Sequence, residues 1–367
     1  MKYLKYFLFL VIVSIVPLVE NNSYSVVSKI KPVKKAPKPK KIILMIGDGM
    51  GLAQIYSGYT AKKGNLNIFR CPYSGFSITN SADDYITDSA AGGTALSCGT
   101  KTKNGFVGVD STGKPLKTIL ELAEDKKLAT GMVVTCYVTH ATPASFIAHY
   151  PDRDSNEILA LDFLKTDIDV LIGGGNDFFE KRKDQINLIS KFESNGYSVY
   201  HKQDELFMSQ SNKVIGLLAD GHLPKMGEGR GDYLSKASVF TTHILNKNKN
   251  GFFFMIEGSQ IDWGCHANQQ DYMVSEMKDF DQAVGAMLDF AEKDGNTLVI
   301  ITADHECGGL TITEGDLKTG TLKAEFSTKH HTGIMVPVFA YGPGSELFSG
   351  VYQNTEVFQK MKSLLIH

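Results

Sequence analysis

Six short segments of the 367-residue sequence hold side chains able to do chemistry together. IGDGMG sets Asp48 between two glycines, which let the backbone turn sharply and leave the carboxylate projecting. Alone, that aspartate is equally a loop cap. TDSAAGGTALSCGTKT sets Thr87, Asp88 and Ser89 ahead of small residues (90–95) that can open a helix. A serine at a helix N-terminus meets free N–H groups and the positive end of the dipole, which favour an incoming phosphate. The plainer role is a helix cap, but the small residues argue for space beside the hydroxyl. HATPASFIAHYPDR carries His140, Thr142 and Arg153. Arg153 is one of only four arginines, and its rigid fork of donors matches two phosphate oxygens. EGSQIDWGCHAN carries Glu257, Asp262, Trp263 and His266. One helical turn sets Asp262 and His266 on one face, a spacing that suits zinc and also an ordinary surface pair. TADHE carries Asp304 and His305, which need a tight turn to reach one point because adjacent side chains diverge. HHTG offers His330 and His331, of which one is expected to be a ligand.

Taken together these are several carboxylates and histidines, a threonine, a serine and an arginine. So many carboxylates in one cleft repel severely without bound cations. The expectation is more than one divalent ion beside a serine placed where an incoming phosphate is favoured.

The elements that must position them follow from hydrophobic patterning. KIILMIG, ATGMVVTCYVT, IDVLIGGG, GFFFMIEG, NTLVIITADHE and VPVFAYGPG are short apolar runs that suit buried parallel strands. LKTILELAEDKKL and residues 272–293 have helical spacing. The alternation predicts an α/β three-layer sandwich, a mostly parallel central sheet with helices on both faces. In such sheets ligands bind beyond the carboxyl ends of the strands. Asp48, Glu257, Asp304 with His305, and the His140–Thr142 stretch all fall there. Residues 176–226 are more polar and are expected to be a peripheral elaboration.

Composition is ordinary for a globular chain, with 43% hydrophobic residues, 21% charged residues and a net charge of -2. That balance gives no sign of a nucleic-acid partner. Lys2 and Lys5 precede an apolar run over 6–19 and then polar residues, the form of a secretory signal, too short to span a bilayer. The expected organisation is a signal peptide over 1–25, a Lys/Pro-rich tether over 26–40 and a catalytic domain over 41–367. The expected location is therefore outside the cytoplasm, periplasmic or secreted, without stable membrane insertion after processing. Five cysteines without a CxxC spacing are expected to be mostly free, buried thiols.

With these segments in view, the sequence resembles the alkaline phosphatase family. The resemblance rests on GDGMG, TDSAAGGTALSCGTKT, HATPA with the downstream Arg153, LLADGHLP, EGSQIDWGCHAN, TADHE and HTG, in family order from about Lys41 to the C-terminus. It implies phosphate monoester hydrolysis through a phosphoserine at Ser89, two zinc ions and one magnesium ion, an alkaline optimum and a possible homodimer. Asp262, His266 and His331 would hold the first zinc. Asp48, Asp304 and His305 would hold the second. Asp48 would also reach magnesium, with Thr142 and Glu257, and Arg153 would hold phosphate. Asp88, His140 and Trp263 would line the cleft. His140 stands where some bacterial members have Asp, and Trp263 where others have Lys or His. An imidazole there is a softer donor and disfavours magnesium. A sulfatase reading is poor, because Ser89 lacks the following x-P-x-R; a diesterase and a non-catalytic metal or phosphate binder are the remaining rivals.

Overall fold

The computed structural model describes residues 38–365. The expected signal peptide, and the tether up to residue 37, lie outside them. Among the described residues the strands are β1 (Lys41–Gly47), β2 (Tyr73–Ile78), β3 (Ala129–Tyr137), β4 (Val170–Gly174), β5 (Ser198–Tyr200), β6 (Val214–Leu217), β7 (Phe252–Gly258), β8 (Thr297–Thr302), β9 (Glu306–Cys307), β10 (Leu310–Asp316), β11 (Thr321–Phe326), β12 (His331–Thr332), β13 (Val336–Tyr341) and β14 (Gly350–Gln353). Ten of them form one sheet in the order β14-β2-β13-β8-β1-β7-β3-β4-β6-β5. Pairing is parallel from β8 through β5, and β13 runs antiparallel to both β8 and β2.

The period of two along a strand divides the interior into two cores. Ile42, Leu44 and Ile46 of β1 join Met132, Val134 and Met255 on one face. Ile43 and Met45 join Val133, Phe254 and Ile256 on the other. Helices Ser89–Cys98, Ile119–Asp125 and Thr355–Leu365 cover the first face, and Tyr233–Leu245 and Gln270–Asp294 the second. The three-layer expectation therefore holds. The helix expected over 272–293 spans Gln270–Asp294. The polar region 176–226 is less peripheral than expected, since it contributes β5 and β6 to the sheet.

Two features tie distant segments together. The short antiparallel pair β9–β12 sets His331 opposite Cys307 and Thr332 opposite Glu306, bringing His331 back to the turn after β8. On the other face, Asp281 of helix Gln270–Asp294 is fully buried and accepts hydrogen bonds from the amides of Asn67 and Ile68, each at 3.1 Å. It also pairs with Lys62. Asp281→Ala is expected to lower the unfolding free energy by roughly 3 kcal/mol, read by urea denaturation. An unchanged midpoint would show that this anchor is not structural.

Candidate active site

Asp88 caps the helix Ser89–Cys98, its Oδ1 accepting from the Ala91 amide at 2.9 Å. Its Oδ2 accepts from the Gly105 amide and from Arg153 Nη1, both at 2.9 Å. One carboxylate thus sets both the helix end and the arginine. Ser89, the first helical residue, is buried, with its Oγ 3.2 Å from His305 Nε2. All ten residues of this helix are buried, and a Cβ on Gly92 would lie 3.1 Å from that of Asp304. The missing side chain at Gly92 lets the Asp304 segment press against the helix.

Asp48, Asp304 and His305 present donor atoms within 4.8 Å of one another. His305 Nε2 is 3.4 Å from Asp48 Oδ1 and 3.2 Å from Asp304 Oδ2. The tight turn needed for adjacent ligands is present, with Asp304 Oδ1 accepting from the His305 amide at 3.0 Å. Gly49 lets this corner close, for at φ 71° its Cβ would lie 2.8 Å from the Asp262 Cα.

Asp262, His266, His331 and Cys307 form a second cluster. His266 Nε2 is 3.2 Å from Asp262 Oδ2, as the helical spacing predicts, and His331 Nε2 is 3.5 Å from Asp262 Oδ1. Each imidazole meets a backbone carbonyl through Nδ1, His266 that of Lys329 and His331 that of Thr87. Those contacts turn both Nε2 atoms inward, as second-layer partners of metal ligands do. The His305 and His331 rings stack with centroids 3.5 Å apart, joining the two clusters. His330 is exposed and outside them.

Glu257, His140 and Cys136 make a third group. Thr142 is fully buried in the first turn after His140, near enough to act on the Glu257 carboxyl. Trp263 packs edge-on to His140, ring centroids 5.8 Å apart, and to His222 at 4.2 Å. His222, from the ADGHLP segment, also stacks on Tyr137.

Burial is the main force on these groups. It raises Asp48 well above the carboxylate range, with Asp304, Asp262 and Glu257 adding like charge. Burial takes Asp304 to about 7 and Glu257 to about 8. It also presses His305 and His331 down to about 4. Asp262 goes the other way, because the hydrogen bond from His266 and the neighbouring imidazoles outweigh its burial. Both oxygens of Asp48, Asp262 Oδ1, Asp304 Oδ2, Glu257 Oε1 and Thr142 Oγ1 are buried without a hydrogen-bond partner among the described residues. Orphaned oxygens around facing imidazoles are the donor set that divalent cations satisfy, so the residues fit metal ions.

Glu306, within TADHE itself, carries no signal in the sequence that sets it apart. Its Oε1 accepts from Gln54 Nε2 at 2.8 Å and its Oε2 from the Thr332 hydroxyl. The Gly309 and Leu310 amides also donate to it. It clasps the β8 turn to the His331 segment, and only the antiparallel pairing reveals this. His222, Cys136 and Cys307 were also missed as site neighbours. All five cysteines are free, and four are buried, as expected.

Two predictions follow from this geometry. Glu306→Ala, which loosens both ligand turns, is expected to weaken metal retention and kcat/KM by on the order of 10- to 100-fold, read by chelator competition and steady-state rates. In chelated protein, Asp304 and Glu257 bind protons more tightly folded than unfolded, so stability falls as pH rises toward 8. The histidines held at about 4 oppose this only below their ordinary 6.5. Thermal midpoints should therefore drop between about 6.5 and 8 without ions, and hold in the metal-loaded protein. A flat chelated profile would contradict the electrostatic account.

The alkaline phosphatase family model matches residues 39–323 and 318–366. Alkaline phosphatase 3 of Bacillus subtilis is 36% identical over 405 aligned positions, covering 87% of each chain. Alkaline phosphatase of Escherichia coli is 30% identical over 404 positions, covering 89% of this chain and 86% of its own. The structure of alkaline phosphatase from the Antarctic bacterium TAB5 superposes with a TM-score of 0.86 at 42% identity, over 90% of this chain and 99% of that one. A variant of the TAB5 enzyme with a histidine exchanged for aspartate has magnesium bound in its M3 site. The chain belongs to the alkaline phosphatase family, metal-dependent hydrolases of phosphate monoesters.

Proposed function

We propose that Ser89 takes the phosphoryl group and that the three clusters hold two zinc ions and one magnesium ion. The observation that carries this reading is the Ser89 hydroxyl, at a helix N-terminus and 3.2 Å from an imidazole of a buried donor cluster. Asp262, His266 and His331 would hold the first zinc, and Asp48, Asp304 and His305 the second. Asp48, Thr142 and Glu257 would hold magnesium. When bound, the ions make the serine hydroxyl and water more acidic and neutralise charge on the leaving oxygen.

The chain's own residues do the rest. Ser89 Oγ attacks phosphorus in line, losing its proton, and the alcohol departs from the opposite side. The first-turn amides of the helix and the Arg153 guanidinium face the equatorial oxygens, where charge spreads in the transition state. Arg153 is already held by Asp88 through one nitrogen, which leaves the fork oriented before substrate arrives. Water then attacks the phosphoserine from the vacated side, freeing phosphate and Ser89. Trp263 walls the cleft against His140 and brings no charge to the phosphate. The magnesium-bearing TAB5 variant supports reading His140 as the side chain that bears on metal choice at the third site.

The substrates on this reading are small phosphate monoesters of broad range, with an alkaline optimum. The basic and apolar start of the chain supports export to the periplasm or beyond. No helix among the described residues is long and apolar enough to cross a membrane. The family supports a homodimer, and Leu52, Tyr56 and Phe69 offer an exposed apolar face for one.

Acid quenching during turnover of a radiolabelled monoester should trap label on Ser89. Ser89→Ala should lose the label and at least about a thousandfold in kcat/KM. Near-normal turnover in that variant would refute the nucleophile. Exhaustive chelation should abolish activity and zinc should restore it; activity that survives would refute metal dependence.

A further inference from the structure

We propose that the Cys136 thiol is a further ligand of the third cluster, so that this cluster takes a zinc-class ion in preference to magnesium. The inference rests on the three-cluster reading above and changes its third member.

The strand ladder brings the thiol there. β3 and β7 are adjacent and parallel, with Val134 opposite Glu257. Cys136 follows Val134 by one side-chain period, on the same face and at the same strand end as the Glu257 carboxylate. Both residues are fully buried. Cys136 Sγ is 3.4 Å from Glu257 Oε2, and its donor atom lies within 4.8 Å of those of Glu257 and His140. Three further atoms wait there without hydrogen-bond partners among the described residues: Glu257 Oε1, His140 Nδ1 and Thr142 Oγ1. Magnesium held by Asp48, Thr142 and Glu257 alone would satisfy two of them and leave the His140 nitrogen without a partner.

Donor chemistry decides which ion fits. Magnesium demands near-octahedral oxygen ligation and keeps several waters. A thiolate with an imidazole and a carboxylate is a softer, lower-coordinate set that suits zinc or cobalt. On binding, the Cys136 S–H bond breaks, a sulfur–metal bond forms and the proton leaves to water. Glu257 Oε2, which had accepted that proton's hydrogen bond, is freed as a second oxygen donor.

The test loads full-length protein with cobalt(II), counts ions per chain and records thiolate-to-cobalt charge transfer in the near ultraviolet. Cys307, the thiol within the second cluster, is the internal control. The band is expected in the wild type, kept in Cys307→Ser and lost in Cys136→Ser. In Cys136→Ser the preference for zinc over magnesium at the third site should also fall at least about tenfold. Three ions per chain without a thiolate band overturn the inference alone. A band that survives Cys136→Ser, or vanishes in Cys307→Ser, does the same. Fewer than three ions per chain overturn the three-cluster reading and this inference with it. Should Cys136→Ser not fold, Cys307→Ser decides: a retained band supports Cys136 and a lost band refutes it.

Discussion

Like charge gathered in a dry place is the constraint on which this molecule turns. Asp48, Glu257, Asp262 and Asp304 are all nearly or fully buried, and each has an oxygen without a hydrogen-bond partner among the described residues. A chain does not assemble such a group for its own stability, because every member costs solvation and repels the next. The parallel sheet makes the assembly possible. Its adjacent strands end at one edge, and the core on either side is rigid enough to hold the carboxylates where cations can neutralise them together. On the metal reading proposed above, ion binding would be coupled to folding and would add to stability.

Asp88 is the second point of economy. A single side chain caps the nucleophile helix, fastens the Gly105 loop and orients Arg153. The arginine and the helix that begins at Ser89 are thus fastened to the same carboxylate. Charge-assisted bonds of this kind are short and directional, which suits a role in preorganisation.

Much of this was legible in the sequence because two periods carry it. The strand period put Asp48, Glu257 and Asp304 at strand ends, and the helical period put Asp262 and His266 on one face. What escaped was set by contacts between distant segments. Glu306 looks like any acid after a ligand pair until β12 is seen beside β9. Cys136 reads as an ordinary strand residue until the register of β3 against β7 is known. The small residues of the Ser89 helix were legible as a need for space, but that the Asp304 segment presses against Gly92 depends on the far side of the fold.

The β9–β12 pair has one more implication. Between its two strands the chain leaves the site, builds the largely exposed β10–β11 hairpin and returns to deliver His331. Because β9 and β12 clasp each other directly, the excursion is closed at its base, while Leu310, Ala324 and Phe326 root the hairpin in the core and Gln270 bonds to β11. Closing a longer excursion costs little extra entropy. The exposed tip of the hairpin, between Glu314 and Thr321, is thus the part of the loop whose length can vary while the β9–β12 pair stays closed.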